Sequence, residues 1–287
     1  MYCTPSVTAR LTHPEKVLYP ECNVTKQKLF DYYQRVGKWM VPHVAKRPLN
    51  LKRCPSGWKR GFFQQHVQTK APGLRKIEVV DQSGDSNRVV LDDGSGLLSL
   101  AQMNVLEIHT WGAHEDDLEK PDLLVFDLDP DPDVKWPAIV EAARTIRQRL
   151  GDSKIESYVK TTGGKGLHIC AAFERTITWD RAREFCHDLT MGMVEEAPEK
   201  YIATASKAKR KGKVFIDWLR NGRGATFVAP YSTRARANAP VALPVEWDEL
   251  DKIKPNQFSL DQTIERLEKR GDAWAQMLAK PQRMPAK

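Results

Sequence analysis

Apolar residues along the chain recur either at every second position or at intervals of three and four, and these two periods predict strands and helices. Leu29, Tyr33 and Val36 have helical spacing and follow Thr25, which can cap the helix that they predict. Residues 11–20 are predicted to be a loop. Further along the chain the pattern predicts strands over 49–53, 77–80, 88–91, 105–111, 123–130, 158–161, 167–170, 214–218 and 226–231. It also predicts a short helix that is capped by Ser95 and ends at 103, helices over 136–150 and 179–193, and a last helix that begins at 262 and is interrupted at Gly271. Interspersed strands and helices favour the α/β (α+β) class.

The strand predicted over 123–130 is the most informative, because two aspartates follow its apolar residues. Side chains alternate between the two faces of a strand, so Asp127 and Asp129 point to the same side. Two carboxylates this close repel each other unless a cation lies between them, and carboxylate oxygens suit hard ions such as Mg²⁺ or Mn²⁺. Aspartates are also common helix caps and turn formers, so the pattern alone leaves both interpretations open. A calcium-binding loop is excluded, because Pro132 and Ala138 stand where that loop needs glycine and glutamate.

A third acid and a glycine-rich turn lie on other predicted strands. Asp217 lies in the apolar strand over 214–218, and a Thr-Gly-Gly-Lys-Gly turn over 162–166 precedes His168. Glycines let backbone amides turn toward an anion, while the turn's lysine adds charge and its threonine a hydroxyl. The turn is not a Walker A loop, since glycine follows the lysine and no helix comes next. Paired aspartates, a third acid and this turn together indicate nucleotidyl transfer by two metal ions held by three carboxylates.

The distribution of charge points to a polyanionic partner. The 287 residues are 41% hydrophobic and 29% charged, which is ordinary for a globular protein. The net charge is +8, yet residues 200–237 carry ten Lys or Arg and one acid, so this segment holds the whole excess. A solvated surface is the usual cause of a basic run, but concentration in one segment favours binding to a polyanion.

The remaining composition excludes several classes of protein. No apolar stretch approaches the roughly 20 residues of a membrane span, and the first ten residues lack an apolar signal core. We therefore expect no membrane partner and a cytoplasmic location. The five cysteines are widely spaced without a CxxC pair, so neither a disulfide framework nor a zinc knuckle is indicated. A metal phosphohydrolase or a DxD glycosyltransferase stays an alternative, although neither needs the glycine-rich turn or the basic segment.

Seven motifs, by their order and spacing, give the chain a resemblance to a known family. Over about residues 11–278 it resembles the polymerase domain of bacterial ligase D, within the archaeo-eukaryotic primase superfamily. The motifs are Val17-Leu18-Tyr19-Pro20, Phe62-Phe63-Gln64, Glu107-Ile108-His109-Thr110-Trp111, Phe126-Asp127-Leu128-Asp129-Pro130, Thr162-Gly163-Gly164-Lys165-Gly166-Leu167-His168, Ile216-Asp217-Trp218 and Val228-Ala229-Pro230-Tyr231-Ser232.

The resemblance implies roles for residues that match the family's sites. The catalytic metal ligands are expected to be Asp127, Asp129 and Asp217. Side chains expected to bind the incoming nucleotide are Thr162, Lys165, His168 and Arg234 at the triphosphate, His109 at the sugar, and Phe62 and Phe63 at the base or template. Lys16 and Lys26 match a pocket for a DNA 5′-phosphate. Thr162 departs from the family, whose turn usually begins with serine; the hydroxyl is kept on a stiffer side chain.

The resemblance also implies a fold, an activity and partners. The expected fold is a primase-polymerase fold, with an RRM-like catalytic sheet and a second, N-terminal sheet-containing module. We expect a leader over 1–10, a single catalytic domain over 11–280 and a flexible tail over 281–287. The implied activity is template-directed addition of ribonucleotides, and also deoxynucleotides, to 3′-hydroxyls at DNA gaps and broken ends in non-homologous end joining.

That activity would use two Mn²⁺ or Mg²⁺ ions, NTP or dNTP substrates and DNA ends bearing a 5′-phosphate. The other implied partners are the end-binding protein Ku and a DNA ligase domain or protein, at the bacterial nucleoid. The alternative within this family is a catalytically inactive module that tethers DNA ends or Ku. The presence of all three acids argues against that alternative.

Overall fold

The computed structural model describes residues 9–66, 70–81 and 84–285. In chain order the strands are β1 (Val17–Tyr19), β2 (Val24–Thr25), β3 (Leu49–Arg53), β4 (Phe62–Gln64), β5 (Leu74–Asp81), β6 (Gly84–Leu91), β7 (Val105–Trp111), β8 (Leu123–Pro130), β9 (Tyr158–Thr161), β10 (Leu167–Ala172), β11 (Tyr201–Ile202), β12 (Val214–Asp217), β13 (Thr226–Val228) and β14 (Pro244–Val245). The helices are α1 (Lys26–Val44), α2 (Gly94–Gln102), α3 (Trp136–Asp152), α4 (Trp179–Glu196), α5 (Leu260–Arg270) and α6 (Ala275–Ala279). Short 3₁₀ turns cover Pro20–Cys22, Lys207–Lys209, Trp218–Asn221 and Trp247–Lys252.

These elements form two compact units, each assembled from stretches that are separate in sequence. Unit 1 contains the described residues of Met1–Asp116, Thr226–Leu243 and Phe258–Asp272. Unit 2 contains those of Asp117–Ala225, Pro244–Gln257 and Ala273–Lys287. Both units combine strands with helices, so the predicted α/β class is confirmed.

Unit 1 is organised around a sheet with the strand order β13-β7-β3-β6-β5. β4 pairs with β3 outside this path, and β1 pairs with β2 in a separate small sheet. α1 begins after Thr25, whose side-chain oxygen accepts the backbone N–H of Lys28 at 3.2 Å, as the sequence predicted. One face of α1, including Leu29, Val36 and Met40, is fully buried, and α1 packs against α2 and α5. Burial of this apolar face is what holds the helix in the unit.

Unit 2 is organised around a six-stranded sheet with the order β11-β12-β8-β10-β9-β14. Its strands pair antiparallel, except that β11 and β12 run parallel. β8 lies inside this sheet, and α3 and α4 both contact it, so its apolar residues Leu124, Val125 and Phe126 are buried. The acid-bearing end of β8 is therefore held by a hydrogen-bonded strand on each side.

Several predicted boundaries were wrong, and a polar side chain explains two of them. The loop predicted over 11–20 contains β1. The cap of α2 is Asp93 instead of Ser95, because the Asp93 carboxylate accepts the Ser95 backbone N–H at 2.8 Å. β12 ends at Asp217, whose carboxylate accepts the Leu219 N–H at 3.1 Å and starts a 3₁₀ turn. β13 ends at Val228, and the helix predicted from 262 is α5 followed by the separate α6.

The chain ends are described only in part. The predicted leader over 1–10 lies outside the described residues except for its last two, of which Ala9 is buried. Of the predicted tail over 281–287, the last two residues lie outside the described ones, while Gln282 donates its backbone N–H to the Ala172 carbonyl at 3.1 Å. Among the helices of the described ranges, none has both the length and the apolar content required to cross a membrane.

Candidate active site

Four polar side chains lie in a row across neighbouring strands of the unit 2 sheet. The register pairs Lys160 of β9 with His168 of β10, His168 with Asp127 of β8, and Asp127 with Asp217 of β12. Residues directly opposite each other on paired strands project from the same face and lie about 4.5–5.5 Å apart. We call Lys160, His168, Asp127 and Asp217 the polar row. Its formation brings the third predicted acid beside the first.

Asp127 and His168 form the buried centre of the polar row. His168 Nε2 lies 3.3 Å from Asp127 Oδ1, and the His168 side chain is almost fully buried. Burial, reinforced by the charge of Lys160, lowers the pKa of His168 to about 4, so the imidazole is neutral at physiological pH. Burial disfavours ionisation of Asp127, yet His168, Arg220 and Lys160 outweigh it and hold the pKa of this carboxyl below its usual range. Asp127 is therefore an ionised acceptor.

Arg220 supplies the positive charge between the paired carboxylates. Its Nε lies 3.3 Å from Asp127 Oδ2 and 3.1 Å from Asp217 Oδ2. Burial and the negative charge of Asp127 raise the pKa of Asp217, and Arg220 opposes this effect. The two acids thus have pKa values displaced in opposite directions, which is expected of carboxylates that compete for one cation.

Asp129 continues the acidic face toward solvent. It is two residues beyond Asp127 on β8, and 60% of its side chain is exposed. Arg210 donates to Asp129 Oδ2 at 2.9 Å, and its guanidinium stacks 3.7 Å above the ring of Phe215, the residue opposite Asp129 on β12. All three predicted acids therefore face the same side of the sheet, and arginines neutralise them in the described structure.

The glycine-rich turn joins β9 to β10 and is closed by its own hydrogen bonds. The Thr162 hydroxyl donates to the Gly166 carbonyl at 3.1 Å and accepts the Gly164 backbone N–H at 3.3 Å. Gly163 has a φ of +63°, which favours glycine, and Lys165 is exposed at the tip. Gly166 is needed for a different reason: a Cβ on it would lie 1.8 Å from the Leu128 carbonyl oxygen. The turn is therefore packed directly against the acid-bearing strand.

Unit 1 contains the other predicted nucleotide-binding side chains, gathered around a buried carboxylate. Glu107 and His109 project from the same face of β7, and Glu107 lies opposite Lys52 of β3. His109 Nε2 and Arg234 Nε lie 2.9 and 3.1 Å from Glu107 Oε2. Phe63 lies opposite Lys52 on β4, and its ring meets that of His109 edge-on at 5.6 Å. We call Glu107, His109, Arg234, Lys52 and Phe63 the Glu107 cluster.

The paired phenylalanines are exposed, so neither is a core residue. Phe62 and Phe63 are 50% and 58% exposed on β4, a short strand that pairs only with β3 among the described strands. Exposing two adjacent aromatic rings costs hydrophobic free energy that folding does not recover. Rings presented in this way are suited to stacking on a base.

Lys16 and Lys26 are joined at the start of α1. The Lys26 backbone N–H donates to the Lys16 carbonyl at 2.8 Å, and Lys26 Nζ donates to the Thr12 carbonyl at 2.9 Å. Burial, with the like charge of Lys16, lowers the pKa of Lys26. The N-terminus of a 19-residue helix adds a positive dipole end at this point. An anion would relieve the repulsion between the two ammonium groups.

The basic segment is divided between the two units. Arg210 and Arg220 face the acids of unit 2, while Arg234 belongs to unit 1. Lys200 pairs with Glu141, and Arg223 pairs with Glu119. The side chain of Lys207 lies outside the described residues. Part of the positive excess is thus used within the protein to neutralise its own carboxylates.

Sequence reasoning missed several side chains in and beside the polar row and the Glu107 cluster. Lys160, Arg220 and Arg210 were not singled out at the acids, nor were Glu107 and Lys52 in unit 1. Two features of the sequence could have indicated some of these residues. Lys160 is a lysine inside an apolar strand, and Glu107 lies two residues before His109 on the same strand face.

The three acids offer the kind of ligands that a divalent cation needs. Asp127, Asp129 and Asp217 supply carboxylate oxygens on one face, which fits Mg²⁺ or Mn²⁺. Within the described ranges, no three His, Cys, Asp or Glu side chains are already arranged around one point as ligands. Arg220 and Arg210 occupy the acids instead, so a metal ion would have to exchange with these guanidinium groups.

Unit 2 has a mainly antiparallel sheet that carries the acids and a glycine-rich turn, and unit 1 has a second sheet with exposed aromatics. Together these features are typical of the primase-polymerase class of proteins. Comparison with known proteins agrees. A family profile described as "LigD, primase-polymerase domain" matches residues 25–274. The chain therefore belongs to the LigD primase-polymerase domain family, as the resemblance of its motifs predicted.

Individual relatives support the same conclusion. The chain is 34% identical over 282 residues to "Multifunctional non-homologous end joining protein LigD" of Pseudomonas aeruginosa, covering 96% of this chain and 34% of the relative. It is 35% identical over 270 residues to the LigD protein of Mycolicibacterium smegmatis, covering 93% and 35%. The chain thus spans about a third of the length of these relatives.

A solved structure shares the fold. The "Polymerase Domain from Mycobacterium tuberculosis Ligase D in complex with DNA" superposes with a TM-score of 0.88 at 33% sequence identity, covering 95% of this chain and 98% of that one. The predicted fold class, a ligase D polymerase-domain fold, is confirmed.

Proposed function

We propose that this chain is a template-directed nucleotidyltransferase that extends 3′-hydroxyls at DNA gaps and broken ends during non-homologous end joining. The observation that carries the proposal is the register of β8 and β12, which sets Asp127 opposite Asp217. The polar row that contains them adjoins the glycine-rich turn on the same sheet. Membership in the LigD family and a structural relative solved with DNA support the same activity.

The three acids are proposed to hold two divalent cations. Asp127, Asp129 and Asp217 would be the ligands, and Arg220 and Arg210 would exchange their ion pairs for contacts elsewhere. Bound metal ions of this kind activate an attacking hydroxyl and neutralise charge on a phosphate. The protein's own part would be to keep Asp127 ionised, which His168 as a hydrogen-bond donor and Lys160 as a cation favour.

Nucleotide-binding roles are proposed for side chains of each unit, taken unit by unit. In unit 2, Lys165 and the amides of the glycine turn suit the triphosphate, with Thr162 and His168 shaping that turn and its strand. In unit 1, Arg234 adds charge for the triphosphate, His109 contacts the sugar, and Phe62 and Phe63 stack on the base or brace the template. The resemblance also implies that Thr162 and His168 lie at the triphosphate, and their part in shaping the turn is added from its hydrogen bonds and register. The other roles follow from the resemblance and suit the chemistry of each side chain.

The DNA end and the protein partners complete the proposal. Lys16 and Lys26 at the α1 N-terminus are suited to a 5′-phosphate on the downstream strand. The resemblance further implies preference for ribonucleotides and Mn²⁺, contact with Ku, and a DNA ligase domain or protein that seals the product. Each of these properties is testable with purified components.

The deciding experiment is extension of a 5′-phosphorylated gapped duplex with ribonucleotides or deoxynucleotides, in Mg²⁺ or Mn²⁺. We expect templated addition with pyrophosphate release, faster with ribonucleotides and Mn²⁺. The variants D127N, D129N and D217N should abolish extension while DNA binding stays equal or becomes slightly tighter, because a negative charge is removed. D251N, which removes an exposed carboxylate paired with Arg144 in the same unit, is the matched control and should extend normally.

The alternatives predict different products. Intact binding to the gapped duplex with no added nucleotide would indicate a tethering module. Release of inorganic phosphate instead of pyrophosphate would indicate a hydrolase. Weak DNA binding by D127N would show that the carboxylate serves folding, and the proposal of a catalytic acid would then be wrong.

A further inference from the structure

Glu107 connects three segments of unit 1 through its two oxygens. Its side chain is only 3% exposed on β7. Oε2 accepts from His109 Nε2 and Arg234 Nε, while Oε1 accepts the Ala235 backbone N–H at 3.0 Å and lies 3.5 Å from Lys52 Nζ. A carboxylate offers about four acceptor positions, and four donors use them. Glu107 therefore has no acceptor left for a substrate.

The surrounding hydrogen-bond donors and cations keep this buried carboxylate ionised. Burial by itself raises the pKa of Glu107, but His109, Arg234 and Lys52 outweigh burial and hold that pKa well below its usual range. The negative charge of Glu107 in turn offsets the repulsion between the Arg234 and Lys52 cations that lie beside it. Glu107 is thus the acid on which both cations of the cluster converge.

The ionised carboxylate of Glu107 determines the orientation of the His109 and Arg234 side chains. An ionised carboxylate only accepts hydrogen bonds, so the proton on His109 Nε2 points to Glu107 and the orientation of the ring follows from it. The ring then meets Phe63 edge-on. The guanidinium of Arg234 is held through its Nε, and the adjoining Ala235 N–H holds the backbone of the same segment.

We propose that Glu107 is a positioning residue for the nucleotide: it touches no substrate and fixes His109 and Arg234 in their binding orientations before a ribonucleoside triphosphate arrives. This inference rests on the proposed function, in which His109 contacts the sugar and Arg234 the triphosphate. A structural role alone is the competing explanation, since the Ala235 contact also secures a loop. The two explanations differ in what happens to the nucleotide KM.

E107Q tests the proposal, because glutamine keeps the shape but replaces one acceptor oxygen with a donor that faces donors. We expect KM for the ribonucleoside triphosphate to rise about 10- to 100-fold, with kcat changed only a few-fold and with weaker discrimination against deoxynucleotides. E107D, which restores the charge, should recover part of the affinity. E115Q is the matched control: Glu115 is a largely buried carboxylate of the same unit, paired with Arg75 and Lys46, and its loss should leave KM unchanged.

A double-mutant cycle shows whether Glu107 acts through its neighbour. If it does, E107Q should raise KM less in the H109A variant than in the wild-type protein. The part that remains is the effect of Glu107 on Arg234, so the two substitutions are less than additive. Fully additive effects, or an unchanged KM in a less stable E107Q protein, would overturn the proposal.

Failure of the proposed function is distinguishable from failure of this inference. If the wild-type protein adds no nucleotide to a primer, polymerase activity is refuted. Binding of a fluorescent ATP analogue to the full chain then tests Glu107 directly. A loss of affinity in E107Q but not in E115Q supports positioning, whereas equal affinities overturn it.

Discussion

Replacement of Gly166 by alanine should lower the rate of nucleotide addition without weakening DNA binding. A Cβ on this residue would lie 1.8 Å from the Leu128 carbonyl oxygen and 3.0 Å from the Leu128 carbonyl carbon. Both contacts are to backbone, which has no flexible end that could turn away. In G166A the glycine turn and β8 must therefore move apart by about 1 Å, and Leu128 lies between Asp127 and Asp129.

The size of the effect follows from this displacement. Overpacking of this kind typically costs about 1–3 kcal/mol of unfolding free energy. A misplacement of about 1 Å between groups that must align can lower a rate by roughly 100-fold. We expect a loss of that order in single-turnover nucleotide addition, with affinity for the gapped duplex within about two-fold, because the proposed DNA contacts at Lys16 and Lys26 belong to unit 1.

The control is G151A, a glycine near the end of α3 where an added Cβ meets nothing within 4 Å. Alanine is favoured over glycine in a helix by up to about 1 kcal/mol, so this variant should be equally or more stable and fully active. Urea unfolding and quenched-flow primer extension measure both quantities. Wild-type stability and rate in G166A would refute the idea that close packing of the turn on β8 aligns the site.

Three further predictions concern pH, stability and salt. Since the pKa of His168 is lowered to about 4 from 6.5, the unfolded chain binds a proton between these values that the folded chain does not. Wild-type stability should therefore fall as pH drops from 6.5 to 4, by roughly 1–3 kcal/mol more than in H168Q; parallel urea-unfolding curves against pH would contradict this. D272N should lose about 2–4 kcal/mol in urea unfolding, because the largely buried Asp272 carboxylate accepts from the Tyr231 hydroxyl and pairs with a histidine, whereas D261N at an exposed pair should lose under about 1 kcal/mol; equal losses would refute the idea that burial decides the cost. Binding of phosphorylated gapped DNA should weaken steeply with salt, and K16A should reduce the slope of log K against log salt by about one; a flat dependence would rule out phosphate contacts.

Local chemistry made much of this protein predictable from its sequence. Apolar spacing located α1, α3 and α4 and the strand that carries the acids, because a helix face or a strand face needs only neighbours within a few residues. The same two-residue period shows that Asp127 and Asp129 share a side. The motif around Glu107 and His109 and the glycine turn were enough to identify the family.

Strand order and register were decided only by the tertiary structure. A sequence shows which residues share a face, but not which strand lies beside another, because pairing depends on contacts between segments far apart in the chain. That register brings Asp217 opposite Asp127 and adds Lys160 and His168 to the polar row. The arginine between the two acids and the carboxylate beneath His109 depend on the same long-range packing, since each balances charge supplied by another segment.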